Sequence, residues 1–444
     1  MNRTIREEKY IYNVLSYRKP AICTVSGKDE NMQKIYIFTG KGGVGKSSIA
    51  AAHALKSAQD GKRTLLMSTD MAHNLGDIFE RKLGKEAENV LPNLDIYEID
   101  PEYVMRNEFS FIMEYLDKLL SGKGRTEMGR GGQEETERND IMASVTEGGS
   151  LQEMGMLPGM EELFSLLKIA EIYRSERYDR LIVDCAPTGE TMSLLKFPEL
   201  LSWYMEKLFP IGKVGVKVLA PVSKAVFRVE MPNRNAMNDI EKMYLKLSEL
   251  QELLKDRDTT CVRIVTTPEK MVVEETKRNY MYMNLYNFNV DGIYINRILP
   301  QEIGNDFFYQ WLAIQRDYIT QIKECFGALP IYEIPWYDEE LKGERAVRRI
   351  VEDVLERADV FASGAITERE KFIQTENGYQ LEVFLPYASK EDIDLYQSAT
   401  DLIIKTDNFK RNIPLPNILR SYMVEGARFE EEKLRIHFMQ DETA

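Results

Sequence analysis

The stretch Gly40-Lys41-Gly42-Gly43-Val44-Gly45-Lys46-Ser47-Ser48 constrains the fold of this chain more than any other. It satisfies the spacing G-x-x-x-x-G-K-[ST], in which glycines let the backbone curl until several N–H groups converge on one anion. The flanks suit such a loop: Lys34 to Thr39 reads as a short buried strand, and the alanine-rich run Ser48 to Ala58 as the helix that follows. A helix N-terminus presents unpaired N–H groups and the positive end of the helix dipole, so this strand–loop–helix unit is a phosphate cradle. In it Gly40, Gly42, Gly43, Val44, Gly45 and Ser48 line the phosphates, Lys46 reaches the β- and γ-phosphates, and the Ser47 hydroxyl is a magnesium ligand. A glycine turn without a ligand is the plainer alternative, and the strand and helix on either side weigh against it.

The pattern after this unit alternates between strands and helices. Strands are expected at Arg63 to Thr69, Asn93 to Ile99, Arg180 to Asp184, Cys261 to Thr266, Val290 to Asn296 and Ile331 to Pro335. Helices are expected at 102–120, 151–167, 192–208, 235–254, 269–286, 308–326 and 346–355. That alternation is the signature of a doubly wound α/β domain with a mainly parallel sheet and helical insertions. Residues 121–150, rich in Gly, Glu, Arg and Thr, read as a mobile linker or lid. Beyond Val360 short strand-like pieces punctuated by Glu376-Asn377-Gly378 and Pro414-Leu415-Pro416 mark a small all-β domain. The expected organisation is an N-terminal extension (1–31), a phosphate-binding α/β domain (32–358) with insertions at about 101–170 and 192–255, a linker (359–369) and a β-sandwich domain (370–444).

Three features point beyond phosphate binding to ATP hydrolysis. Asp184 ends a buried strand inside Asp184-Cys185-Ala186-Pro187-Thr188-Gly189, where an acid can hold magnesium directly or through water and the Gly189 N–H can sense the γ-phosphate. Asp70 closes the second strand and is expected to orient the attacking water; a helix N-cap is its plainer role. Lys41, beside the first glycine, adds a second positive charge that can stabilise the transferring group, across a dimer interface if it cannot fold back on its own nucleotide. His73 fits packing or switching better than metal binding, because one histidine makes no site.

Together these residues resemble the deviant-Walker ATPases, and within them the family of arsenite-pump ATPases and tail-anchored-protein targeting factors. Lys41 matches that family's signature lysine, which contacts nucleotide across a dimer. Ser68 to Leu75 resembles its switch I, with Asp70 positioning water and Asn74 near the nucleotide, and Asp184 to Thr191 resembles its switch II. The resemblance implies that Asn296 recognises adenine and that Pro268 and Glu269 lie beside the base. Met71 and Glu190 depart from the usual proline and histidine, and the targeting factors' C-x-x-C zinc clip is absent. One such loop instead of two implies a homodimer. The last domain resembles the small heat-shock-protein β-sandwich appended to some bacterial members, through Tyr379 to Pro386, Glu391-Asp392-Ile393 and Asn408 to Pro416.

The resemblance implies ATP and Mg2+ as cofactors. A dimer whose closure reshapes an apolar surface for a protein client is the preferred expectation, with Met154, Met156, Met160, Leu200, Trp203, Met205, Leu208 and Phe209 as candidate surface residues. A subunit energising a membrane permease for an anion or metalloid, and a spatial-organisation ATPase of the ParA/MinD type, are the alternatives. Net charge is −14, from 72 acids and 58 bases, which argues against a general nucleic-acid surface. Cys23, Cys185, Cys261 and Cys325 are far apart, no segment is apolar enough to span a bilayer, and cytoplasm is the expected compartment, with peripheral membrane contact through a partner.

Overall fold

The computed structural model describes residues 33–70, 74–101, 103–104, 160–185, 245–246, 248–303, 306–362, 370–375, 378–398, 401–406 and 409–440. All belong to one compact unit spanning Gln33–Ala444. The expectations for 1–31, 105–159, 186–244 and Met71 to His73 lie outside the described residues, and with them Gly189, Glu190, Met154, Met156 and the apolar run from Leu200 to Phe209.

An eight-stranded sheet forms the first part of the fold. Its strands are β1 (Lys34–Thr39), β2 (Thr64–Ser68), β3 (Glu88–Leu91), β4 (Leu94–Glu98), β5 (Arg180–Asp184), β6 (Thr260–Thr266), β7 (Val290–Ile298) and β8 (Ile331–Pro335). They run in the order β3-β4-β2-β5-β1-β6-β7-β8, and only β3 is antiparallel to its neighbour. Parallel sheets are covered on both faces, and this one explains its apolar runs. On one face Tyr36, Phe38, Leu66 and Ile182 meet α1 (Lys46–Gln59) and α6 (Gly343–Asp353) through Ile49, Ala50, Ala54, Val347 and Ile350. On the other, Ile35, Ile37, Leu65 and Val183 belong to the core shared with α3 (Met160–Arg174), α4 (Lys270–Leu285) and α5 (Asp306–Phe326). The strand period of two sorts each apolar run between the faces. A short helix, α2 (Asn74–Ile78), follows β2 and was not read from the sequence, nor was β3.

Phe164, Leu166 and Leu167 of α3 are buried beneath the sheet, because α3 is itself one of its covering helices. The linker expected at 359–369 is pinned where it starts. Buried Arg263 of β6 pairs with Asp291 at 3.2 Å, lies 4.3 Å from the Tyr36 ring centroid and donates to the Val360 carbonyl at 2.5 Å. Phe361 then meets Tyr36 edge-on at 5.1 Å.

The C-terminal strands form two antiparallel sheets. One has the order β14-β15-β10-β9, with β9 (Glu370–Thr375), β10 (Gly378–Phe384), β14 (Tyr422–Glu430) and β15 (Lys433–Gln440); the other is β11 (Ile393–Gln397), β12 (Asp401–Thr406) and β13 (Phe409–Pro414). Leu381, Val383, Leu402, Ile404, Ile436 and Phe438 are buried from both sheets, the inner residues of a sandwich. Its core is continuous with that of α4 and α5. Tyr286, just past α4, donates its hydroxyl to the Lys410 carbonyl at 2.8 Å. Arg411 donates to the Leu285 carbonyl at the end of α4 and pairs with Glu370, and Tyr387 donates to the Cys325 carbonyl of α5.

Candidate active site

The loop between β1 and α1 takes its shape from glycines that no other residue can replace without strain. Gly45, at the N-terminus of α1, has φ +92°, and Gly43 has φ +80°, both in the left-handed region. A Cβ on Gly40 would lie 2.2 Å from the Val265 carbonyl oxygen, and one on Gly45 would lie 2.3 Å from Asn296 Nδ2. The loop is thus wedged against the ends of β6 and β7. Val44 is buried beneath it, while Gly42 and Gly43 are exposed on its rim and Ser47 and Ser48 are half-buried in the first turn of α1.

Parallel strands deliver the acids to the same edge. In register, Asp184 stands beside Phe38 of β1 and beside Ser68 of β2, and Asp70 follows two residues later. Asp184 is fully buried, and among the described residues neither carboxylate oxygen has a hydrogen-bond partner. Burial pushes its carboxyl up to about 7; the Ser47 hydroxyl and the Lys46 charge beside it pull it back, and Asp70 pushes it further up. A dehydrated carboxylate next to a half-buried hydroxyl and a second acid is a fit for a hard divalent cation, which would satisfy oxygens the protein leaves unpaired. The Thr39 and Thr69 hydroxyls are likewise buried without partners. The Asp70 N–H donates to Ser68 Oγ at 3.1 Å, which holds the turn after β2. Cys185, fully buried next to Asp184, has its thiol pushed up to about 12 by burial, so it stays protonated and apolar.

The two loop lysines occupy different settings. Lys46 is 6% exposed, and its ammonium donates to the Lys41 carbonyl at 3.4 Å. The Lys41 side chain is 39% exposed and its ammonium lies 3.6 Å from Glu275 on α4. On the side assigned to the base, Asn296 has a task that the sequence reading missed. Its Nδ2 donates to the Val44 carbonyl at 2.8 Å and its Oδ1 accepts from the Arg297 N–H at 2.9 Å, so it braces the loop. Pro268 and Glu269 form the turn into α4, where the Glu269 carboxylate accepts from the Thr267 hydroxyl at 3.2 Å. Asn74 opens α2. The structure therefore brings Gly40 to Ser48, Asp70, Asp184, Pro268, Glu269 and Asn296 to the strand ends around one loop. Neither Glu275 nor the Asn296 brace carries a local sequence signal, because each meets the loop across a gap of more than two hundred residues.

The sequence profile of the ArsA anion-transporting ATPases matches residues 33–356. The chain belongs to the ArsA ATPase family. The profile of an HSP20-like domain found in ArsA proteins matches residues 376–438, which fall in the C-terminal sandwich. A protein of Chlorobaculum tepidum, provisionally named an arsenical pump-driving ATPase, is 33% identical over 410 residues, 91% of this chain and 96% of that protein. A similarly named protein of Aquifex aeolicus is 31% identical over 415 residues, 91% of this chain and 99% of its own length. The ATPase GET3 of Pyricularia oryzae is 29% identical over 349 residues, 75% of this chain and 95% of that protein. This ArsA-family chain is an ATPase, converting ATP and water to ADP and phosphate. No helix among the described residues is long and apolar enough to cross a membrane.

Proposed function

We propose that hydrolysis at the β1–α1 loop is magnesium-dependent and opens and closes a homodimer that regulates a protein client or partner. In this reading ATP lies in the glycine cradle, and Ser47 and Asp184 hold Mg2+, the latter directly or through water. Bound magnesium supplies positive charge to the terminal phosphates. Asp70 orients the attacking water, Lys46 neutralises charge on the β- and γ-phosphates, and Asn296 serves both the base and the loop. Asn74 is assigned to nucleotide binding, the Gly189 N–H to sensing the γ-phosphate, and Pro268 and Glu269 to the base. The observation that carries the dimer is the contrast between the lysines. Lys46 is only 6% exposed, whereas the Lys41 side chain is 39% exposed beside Glu275, so a second subunit's nucleotide can reach it. The free thiols of Cys185, Cys261 and Cys325 suit a reducing cytoplasm.

The test is a pair of variants. Asp70→Asn should still bind ATP while turnover falls about 100-fold or more, the usual loss for a positioned general base. Lys41→Ala should lose both turnover and ATP-dependent dimerisation in sedimentation velocity. Unchanged turnover in Asp70→Asn would remove its role, and normal turnover in Lys41→Ala would overturn the cross-subunit mechanism.

A second reading, a subunit energising a membrane transporter, is favoured by the pump-driving names of two relatives. Co-purification with a permease and stimulation of turnover by a small anion would select it. Stimulation by an apolar helical peptide selects the client reading.

A further inference from the structure

We propose that Glu275 is a positioning residue for Lys41, competing with nucleotide phosphate for its ammonium and so setting how tightly ATP is held. The inference rests on the reading above, in which the triphosphate lies in the β1–α1 loop.

The Glu275 carboxylate lies 3.6 Å from the Lys41 ammonium, with side chains 27% and 39% exposed. A cation at that place has two anions within its reach: this carboxylate on its own chain, and the phosphates of a nucleotide. Charge given to one is withdrawn from the other. Surface ion pairs of this exposure usually contribute little because long side chains and solvent dissipate them. Three features make this one a built arrangement. Thr276, the next residue of α4, bonds through its hydroxyl to Thr266 Oγ1 at 2.9 Å, tying that turn of the helix to the end of β6. The preceding residue of the same strand, Val265, presents the carbonyl against which Gly40 is wedged. The loop and Glu275 are therefore referenced to one strand end. Farther along, α4 is held at its C-terminus by Arg411 and by the Tyr286 hydroxyl, so the helix cannot easily carry Glu275 away.

The Lys46 ammonium bonds the carbonyl of Lys41 at 3.4 Å, so the two loop lysines meet through the main chain of one and the side chain of the other. Glu274, the neighbour of Glu275, has a different task, pairing with Lys277 at 3.0 Å.

The experiment uses the full chain and a fluorescent N-methylanthraniloyl ATP with Mg2+, titrated at one protein concentration against wild type, Glu275→Gln, Glu275→Asp, Lys41→Ala and the Glu275→Gln/Lys41→Ala pair. Glu275→Gln keeps the shape and removes the competing charge, so Kd should fall about two- to fivefold, the range expected of a partly exposed pair. Steady-state turnover should show the change more in KM than in kcat. Glu275→Asp, one methylene shorter but still charged, should restore Kd toward wild type and guards against a folding defect in the glutamine variant. With Lys41 already alanine, adding Glu275→Gln should leave Kd where Lys41→Ala put it. An unchanged Kd in Glu275→Gln overturns the proposal. So does an equal shift in the Lys41→Ala background, which would mean that Glu275 acts on the phosphates without Lys41. Wild-type binding that is absent, or insensitive to Lys46→Ala, would instead overturn the placement of the triphosphate and this inference with it.

Discussion

Asp184→Asn should make the nucleotide-free protein more stable while abolishing its activity, and the gain should depend on pH. The substitution keeps the shape of a fully buried side chain and removes its charge. The carboxyl of Asp184 titrates at about 7 in the folded chain against an ordinary 3.8, and burial is the main cause. That difference corresponds to about 4 kcal/mol of destabilisation once the group is ionised in both states. The unfolded chain releases this proton near 3.8 and the folded chain keeps it to about 7, so between those values the folded state binds more protons. Stability from this group therefore falls as pH rises through the window and is constant above it. An asparagine amide in the same place still lacks partners, which costs about 1–3 kcal/mol. The net gain at pH 8 is then about 1–3 kcal/mol, and at pH 5, where wild-type Asp184 is still protonated, it should be smaller by about 2.5 kcal/mol. Urea unfolding followed by circular dichroism, at pH 5 and pH 8 with EDTA and no nucleotide, measures both values. Adding MgATP at one thousand times Kd should reverse the order, because only wild type gains the stabilisation of a tightly bound ligand, about 4.1 kcal/mol. An Asp184→Asn advantage that is the same at both pH values would refute the argument, since it would show that the carboxylate's charge is not what the fold tolerates there.

Two further outcomes test the loop and the domain contact. Gly40→Ala should destabilise the protein and weaken ATP binding more than Gly43→Ala, as read by unfolding midpoint and nucleotide titration. The first forces a Cβ onto the Val265 carbonyl, whereas the second meets open space and bears only its left-handed φ, about 1–2 kcal/mol. Arg411→Met should cost about 3 kcal/mol in denaturant unfolding, because it leaves the Leu285 carbonyl and the Glu370 carboxylate without their buried cation. An unaffected midpoint would mean that the sandwich is held by its apolar contacts alone.

The strand–loop–helix unit was legible because its demands are local. Glycines at Gly43 and Gly45 meet left-handed backbone, and Lys46 and Ser47 follow directly in the helix they open. Asp70 and Asp184 could be found because a charged residue ending an apolar run marks a strand's edge, and parallel strands share one functional edge. The β14 strand is hard to read from sequence because most of its residues face solvent and present no clean alternation of apolar and polar positions. The apolar stretch around Phe164 admits two readings from sequence, since a core-facing helix and an adaptable groove use the same residues, and burial selects the first.

What the chain determined by itself is the local chemistry: a phosphate cradle, acids at strand ends, and the order of alternating elements, all written within a few residues of one another. What only the tertiary structure decided is which distant groups complete that cradle. Asn296 bracing Val44, Glu275 facing Lys41 and Arg411 closing α4 each depend on elements that are far apart in sequence. Such pairings follow from strand order and helix packing, and hydrophobic periodicity, which reports only the face a residue occupies, contains no record of the partner across it.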